Sequence, residues 1–244
     1  MAVRVADYFE QADELPYQSL SDIAGAGGVL VLAAHPDDES LGCGGLLAAC
    51  VEEGRPARVV IVSDGAASHP NSRRFPRDML RDLRECEART ACAALGLPTE
   101  PIFLGLPDSA VPSVGAAADA AIDAIADIAR RMAASVLCVT WRHDPHCDHK
   151  ACVALAQAVV VRLPALRLLE YPVWGHTLSK DATFETPPRG LRFNAAPFLD
   201  RKRAAIAAHR SQVTRLIDDD QQGFRLAPEM IARFQRPFET FLEF

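Results

Sequence analysis

An apolar run that ends in a cluster of acidic and imidazole side chains constrains this chain most strongly. Residues 29–34, Val-Leu-Val-Leu-Ala-Ala, have the length and composition of a strand buried in a parallel sheet. His35, Asp37 and Asp38 follow the strand, and a helix is predicted over residues 45–53. Ligands bind to open α/β sheets in the crevice at the carboxyl ends of the strands. The pattern therefore predicts a binding site where this strand ends.

The residue types in this cluster suit a metal-dependent hydrolase. His35 and Asp38 lie three residues apart and can ligate one metal ion, while Asp37 between them is free to act as a base. An acidic helix N-terminus, which the helix dipole favours, would explain the same residues without a metal. The metal is favoured by a second cluster, in which His149 can supply a third ligand and His146 a group that stabilises an oxyanion.

Predicted strands and helices alternate along most of the chain, which indicates an α/β fold with a largely parallel sheet. The strands are predicted at 29–34, 58–63, 102–104, 136–140, 166–171 and 191–194, and the longer helices at 77–95, 115–134, 150–162 and 197–216. Residues 1–244 are interpreted as a single domain that carries residues 1–27 as an N-terminal extension, a helix plus a loop. Residues 217–244 show no clear pattern.

Composition excludes several classes of function. The 244 residues are 49% hydrophobic and 24% charged, which is typical of a globular domain. A net charge of −6 argues against nucleic acid as a bulk partner. No apolar run approaches the roughly 18 residues that span a bilayer, and the first ten residues lack the apolar core of a signal peptide. We therefore expect a cytoplasmic protein without a membrane span.

Neither the cysteines nor the glycines supply a competing site. The seven cysteines are odd in number and form no Cys-x-x-Cys pair, which argues against disulfides and against a thiolate zinc site. Cys43 and Cys147 lie in the two polar clusters, but no motif of a cysteine nucleophile surrounds them. Residues 42–45, Gly-Cys-Gly-Gly, lack the spacing of a dinucleotide-binding loop, so we expect these glycines to allow close helix–strand packing.

Five short motifs, in order between about residues 28 and 214, make this chain resemble the PIG-L (LmbE-like) family of zinc-dependent N-deacetylases. They are Ala-His-Pro-Asp-Asp-Glu at 34–39, Arg-Glu-Cys-Glu at 84–87, Leu-Pro-Asp at 106–108, His-Cys-Asp-His at 146–149 and His-Arg-Ser-Gln at 209–212. The first motif is highly specific, and its combination with the fourth at this spacing is more specific still.

The resemblance implies a Rossmann-like three-layer fold and a metal site in which His35, Asp38 and His149 bind Zn²⁺. Two imidazoles and one carboxylate also suit Fe²⁺ or Co²⁺, so the ligand types favour zinc without fixing the metal.

The resemblance also implies roles for five further side chains. Asp37 would be the general base, and His146, oriented by Asp148, would stabilise the oxyanion or protonate the leaving amine. Arg84 and Asp108 would contact hydroxyl groups of a sugar substrate. Members of the family often self-associate, although nothing in this sequence identifies an interface.

The implied activity is removal of acetate from a small-molecule N-acetylglucosamine conjugate. One alternative is an amidase that acts on another N-acyl group or on a conjugate thiol metabolite. The other is a metal-holding protein without turnover, against which Asp37 and His146 argue because metal binding alone requires neither. A run of arginines that includes Arg73, Arg74 and Arg77 suggests an anionic group on the substrate.

One departure from the family concerns a tyrosine that some members carry just before the His-x-Asp-His motif. Residues 141–145 contain no tyrosine, and Tyr171, at the end of the next predicted strand, is the candidate replacement. Asp144 and His143 are interpreted as polar loop residues, and Glu39 as a partner of a metal ligand.

Overall fold

A computed structural model describes residues 2–244 of the chain as alternating strands and helices. The strands are β1 (Val3–Arg4), β2 (Tyr17–Gln18), β3 (Gly28–Ala33), β4 (Ala57–Ser63), β5 (Ile102–Leu106), β6 (Ala134–Thr140), β7 (Arg167–Tyr171), β8 (Thr183–Phe184), β9 (Gly190–Asn194) and β10 (Phe238–Leu242). The helices are α1 (Val5–Ala12), α2 (Leu20–Ala24), α3 (Asp38–Glu52), α4 (Arg77–Leu95), α5 (Ala116–Arg131), α6 (Cys147–Arg162), α7 (Leu199–Ala208), α8 (Arg210–Val213) and α9 (Pro228–Phe234).

The central sheet has eight strands in the order β2-β9-β10-β7-β6-β3-β4-β5. Strands β7, β6, β3, β4 and β5 run parallel, and β10 pairs antiparallel with both β7 and β9. The predicted α/β fold with a largely parallel sheet is confirmed. The carboxyl ends of β3 and β6, which are neighbours, therefore lie side by side at one edge of the sheet.

Alternation along β3 shows how the three layers are built. Val29 and Val31 point to the face covered by α3, α4 and α7, whereas Leu30 and Leu32 point to the face covered by α5 and α6. All four side chains are fully buried. Burial on both faces explains why this segment is a continuous apolar run and does not alternate with polar residues.

Two helices begin earlier than their apolar patterns predicted. Helix α3 begins at Asp38, ahead of the predicted 45–53, and α6 begins at Cys147, ahead of the predicted 150–162. The first turns consist of polar and small residues, which carry no apolar periodicity but suit a helix N-terminus. As a result, Asp38 and His149 both lie in the first turn of a helix.

The C-terminal part of the chain departs most from prediction. The helix expected at 197–216 is interrupted at His209, which separates α7 from α8. Residues 217–244, which showed no pattern, contain α9 and the sheet strand β10. Strand β10 carries a carboxylate, Glu239, on a buried position, and this masks the alternation by which a strand is recognised.

Glu239 forms a buried ion pair that links β10 to two helices. Its Oε1 lies 2.6 Å from Lys202 Nζ of α7, and its two oxygens accept hydrogen bonds from the backbone N–H groups of Gly45 and Leu46 at 2.7 and 2.8 Å. Both charged side chains are almost completely buried.

We expect Glu239→Ala to lower the free energy of unfolding by about 3–5 kcal/mol, because it leaves the Lys202 charge buried without a partner. Urea unfolding of the two proteins would measure the difference. The control is Glu52→Ala, which removes an exposed carboxylate from its pair with Arg201 and should cost less than about 1 kcal/mol. Equal effects of the two substitutions would contradict the assignment of Glu239 as a structural ion pair.

The first residues contribute to this architecture. Strand β2 pairs with β9 in parallel, and the ring of Tyr8 in α1 stacks on Trp141 with centroids 5.6 Å apart. The interpretation of residues 1–27 as an extension of a single domain stays a prediction. Within residues 2–244, every helix is too short or too polar to cross a bilayer.

Candidate active site

The three predicted metal ligands lie together at the carboxyl ends of β3 and β6. Oδ2 of Asp38 is 3.6 Å from His35 Nδ1 and 3.4 Å from His149 Nε2, so one carboxylate oxygen lies between two imidazole nitrogens. All three side chains are buried. The donor set of two nitrogens and one oxygen is thus assembled by the fold.

These residues fit a divalent metal ion. Nε2 of His149 is buried without a hydrogen-bond partner in the described chain, and a ligand nitrogen that awaits a metal has this property. Burial alone would raise the pKa of Asp38, but His149 and His35 hold that pKa well below its ordinary value. Asp38 is therefore ionised, as a carboxylate ligand must be.

Asp144 determines which nitrogen of His149 is available. The Nδ1–H of His149 donates to Asp144 Oδ2 at 2.9 Å, so the neutral form of the ring, which a metal ion requires, has its lone pair on Nε2. Asp144 is fully buried and also accepts hydrogen bonds from the backbone N–H groups of Val173 and Trp174, each at 3.0 Å. Asp144 lies in a loop, as interpreted, but the turn before α6 directs its side chain inward, and its contact with His149 was not anticipated.

We expect Asp144→Asn to weaken metal binding by about 10–100-fold, because the amide no longer holds His149 in the required tautomer. Competition with a chromophoric chelator would measure the metal affinity. Asp127→Asn, on the exposed face of α5, is the matched control and should bind metal as the wild type does. Identical affinities in all three proteins would rule out this role.

His35 is held by two carboxylates on the side opposite Asp38. Its Nε2–H donates to Asp108 Oδ1 at 3.2 Å and to Asp148 Oδ2 at 3.1 Å, so the neutral form of the ring has its lone pair on Nδ1. Asp148 in turn accepts hydrogen bonds from the backbone N–H groups of Ser109 at 2.7 Å and Val111 at 3.0 Å. The two aspartates therefore orient a predicted metal ligand.

His146 and Asp148, which were expected to pair, lie close together without a direct hydrogen bond between their side chains. The His146 Nδ1 atom lies 4.0 Å from Asp148 Oδ2 and instead accepts the backbone N–H of Asp148 at 3.2 Å, as the N-cap of α6. Because Nδ1 is an acceptor, the neutral ring carries its proton on Nε2. Partial burial keeps the pKa of His146 below its ordinary value.

Asp37 has a backbone conformation that is rare for a non-glycine residue, with φ 148° and ψ −28°. Such conformations cost roughly 1–3 kcal/mol and occur most often at functional sites. Its N–H donates to Glu39 Oε2 at 3.1 Å, and Glu39 Oε1 is 3.0 Å from His209 Nε2. Glu39, interpreted as the partner of a ligand, therefore supports the backbone at the predicted base.

Burial raises the pKa of Asp37 to about 6, although the nearby Arg84 guanidinium opposes this shift. Arg84 Nη2 donates to Asp37 Oδ2 at 3.3 Å and to the Pro36 carbonyl at 2.8 Å, while Nη1 donates to the Gly65 carbonyl at 2.8 Å. Arg84 thus ties the loop of the predicted base to the loop after β4. The chemistry available here is proton transfer by a carboxylate that titrates near neutral pH.

A cavity of about 520 Å³ opens above this cluster. Two of the predicted ligands, His35 and Asp38, form its floor with Asp37, Arg84 and Asp108, whereas His149 is fully buried and does not line it. Trp174, Thr177, Gln222 and Phe224 lie on its walls. The aromatic and glutamine residues of the walls come from segments that sequence reasoning did not connect to the site.

Tyr171 does not line this cavity. Its hydroxyl donates to the Leu32 carbonyl at 3.0 Å, and its ring packs against Gly42, where a Cβ would collide with it. The ring borders a separate cavity of about 40 Å³. Tyr171 is therefore wrong as the replacement for the missing tyrosine, and Gly42 serves the close helix–strand packing expected of the glycine segment.

The matching family model is that of PIG-L, described as GlcNAc-PI de-N-acetylase, and it covers residues 30–160. A probable N-acetyl-alpha-D-glucosaminyl L-malate deacetylase 2 of Bacillus cereus is 25% identical over 194 residues, covering 78% of this chain and 86% of that protein. A 1D-myo-inositol 2-acetamido-2-deoxy-alpha-D-glucopyranoside deacetylase of Gordonia bronchialis is 27% identical over 239 residues, with coverages of 76% and 84%.

Among solved structures, the N,N'-diacetylchitobiose deacetylase of Pyrococcus horikoshii matches with a TM-score of 0.66 at 20% identity. The match covers 96% of this chain and 88% of that one. At this identity the likeness shows the fold alone.

Proposed function

This chain belongs to the PIG-L family, and on that premise we propose that it removes the acetyl group from an N-acetylglucosamine conjugate by zinc-dependent hydrolysis. The observation that carries the proposal is the buried trio of His35, Asp38 and His149, with the unpartnered Nε2 of His149, directly beneath a cavity that His35, Asp37 and Asp38 line. A protein that only held a metal would not need a strained, buried carboxylate next to its ligands.

His35, Asp38 and His149 would hold the metal ion. When bound, it supplies Lewis acidity and lowers the pKa of a water molecule towards ~7. Asp144 and Asp148 keep the two imidazoles in the tautomers that direct a lone pair towards Asp38.

Asp37 accepts the proton of the attacking water. Its pKa of about 6 leaves it mostly ionised at neutral pH and still basic enough to bind a proton. Glu39 accepts a hydrogen bond from the backbone N–H of Asp37, and Arg84 donates one to its carboxylate. Together they keep the carboxylate oxygens in one place during the reaction.

His146, which also lines the cavity, provides a hydrogen-bond donor. Its ring centroid is 4.5 Å from that of His35, and the proton on Nε2 is not used by a hydrogen bond in the described chain. That N–H can stabilise the negative charge on the acyl oxygen or protonate the leaving amine.

Arg84 and Asp108, both on the cavity floor, are the proposed contacts to the hydroxyl groups of the sugar. Asp108 accepts the N–H of Ala67 at 2.8 Å and retains further lone pairs for a hydroxyl group.

Acetate release from an N-acetylglucosamine glycoside tests the proposal directly. We expect the activity to disappear with a chelator and to return when Zn²⁺ is added. A protein that binds the metal and the sugar but releases no acetate would contradict the assignment as a hydrolase.

We expect kcat/KM for an N-acetylglucosamine glycoside to exceed that for plain acetamide by at least ~10²-fold, because the polar groups of the floor pair with ring hydroxyls. A panel of N-acetylated sugars, N-acetylated amino acids and acetamide would measure this. Equal values of kcat/KM for acetamide and for the sugar would contradict the proposed sugar contacts, although the protein would still be a deacetylase.

A further inference from the structure

We propose that the group attached to the amino sugar is uncharged and packs against Trp174 and Phe224 of the cavity wall. This inference rests on the proposed deacetylation, because it concerns the part of the substrate that extends beyond the acetylated sugar. Its basis is the chemistry of the wall.

Trp174 and Phe224 form an edge-to-face pair with ring centroids 5.2 Å apart and planes at 83°. Each is held by its backbone: the N–H of Trp174 donates to Asp144 at 3.0 Å, and that of Phe224 donates to the Ser68 carbonyl at 2.7 Å. Asp144 also binds His149, so the backbone of Trp174 is tied to the metal-ligating cluster. The pair is a pre-organised apolar surface on a cavity that also holds the reacting groups.

The negatively charged side chains that line the cavity disfavour the binding of an anionic group of the substrate. Among the described residues that line the cavity, the only arginine or lysine is Arg84, and its guanidinium is paired with Asp37. Asp38 and Asp108 add negative charge to the floor, which a divalent metal ion would balance. A carboxylate on the substrate would therefore lose its hydration without gaining a cation.

The basic run of the sequence does not change this balance. Arg74 pairs with Asp218 at 2.5 Å and Arg77 with Asp64 at 2.8 Å, and neither these arginines nor Arg73 line the cavity. The expectation of an anionic group on the substrate is therefore not supported, because these side chains already have carboxylate partners or lie outside the cavity.

The polar groups beside the aromatic pair are neutral. Thr177 and Gln222 line this part of the cavity and offer a hydroxyl and an amide. Amides and hydroxyls bind hydroxyl groups and carry no net charge that would select an anion. The wall thus matches a polyol, or another uncharged group with an apolar face.

The test compares three N-acetylglucosamine compounds: the methyl glycoside, the uncharged inositol conjugate and the dianionic L-malate conjugate. We expect kcat/KM for the inositol conjugate to exceed that for the malate conjugate by about tenfold or more, and the malate conjugate to be no better than the methyl glycoside. A wild-type preference for the malate conjugate would overturn the inference.

Two substitutions sharpen the comparison. Gln222→Lys adds a cation to the wall and should raise kcat/KM for the malate conjugate several-fold, with a gain that falls as salt is added. Phe224→Ala should reduce the advantage of the inositol conjugate over the methyl glycoside by about tenfold. Phe103→Ala is its control, since Phe103 is a partly buried phenylalanine that packs on the same core but does not line the cavity.

The outcomes separate this inference from the proposed function. Acetate release from the methyl glycoside with no difference between the two conjugates would overturn the inference and leave the deacetylase assignment intact. An unchanged conjugate preference in Phe224→Ala would also overturn it. Absence of acetate release from all three compounds would overturn both.

Discussion

Asp37→Asn is expected to lower kcat by ~10²–10⁴-fold while the metal content stays unchanged. The amide keeps the size of the side chain but cannot accept the proton of the attacking water. Asp37 does not belong to the ligand cluster of His35, Asp38 and His149, so its replacement removes no metal ligand. Steady-state kinetics and elemental analysis of the same preparation would measure both quantities.

Asp78→Asn is the control for this substitution, because Asp78 is an exposed carboxylate in the first turn of α4. It should change neither kcat nor metal content. Loss of metal from Asp37→Asn, together with retention in Asp38→Asn, would show that the two adjacent aspartates have the opposite roles.

His149→Ala is expected to abolish stoichiometric metal binding and, with it, acetate release. The substitution removes one of three ligands from a closed cluster, and the two that remain cannot complete the site. Elemental analysis after dialysis should show about one metal ion per wild-type chain and nearly none in the variant.

The matched control for this second substitution is His143→Ala. His143 lies six residues before His149, in the turn that precedes α6. Its ring packs against Trp141, with centroids 5.1 Å apart, and lies outside the ligand cluster. It should retain metal and activity. If the two histidine variants held equal amounts of metal, the ligand assignment would fail.

The local pattern of the sequence was sufficient for the architecture and for the chemical type of the site. A strand buried on both faces must be continuously apolar, so residues 29–34 could be recognised without neighbours. Chemistry at the end of a parallel strand requires polar residues directly after it, and His35, Asp37 and Asp38 occur there. The spacing of the two clusters also identified the family, which the match over residues 30–160 confirmed.

The partners of these residues were decided by tertiary structure alone. Asp148 was expected to orient His146, but α6 begins at Cys147, three residues before its predicted start, and the side chain of Asp148 accepts a hydrogen bond from His35, which follows the neighbouring strand β3. Asp144 was interpreted as a polar loop residue, and only the folded turn shows that it faces His149. Such contacts leave no periodic pattern in the local sequence. They join segments that are distant along the chain, or they depend on the conformation of a single turn.

The residues of the cavity wall were still harder to predict from local sequence. Trp174 follows β7 and Phe224 lies in a segment without a repeating pattern, yet their rings meet 5.2 Å apart over the site. Strand β10, also from the patternless tail, lies in the sheet between β7 and β9, and its Glu239 is paired with Lys202 inside the core. Periodicity reports which face of an element is buried, whereas distances between elements follow from how all the layers pack together. The sequence by itself therefore predicted the reaction type and its candidate groups, and only the packed structure showed which side chains hold these groups and which residues form the cavity above them.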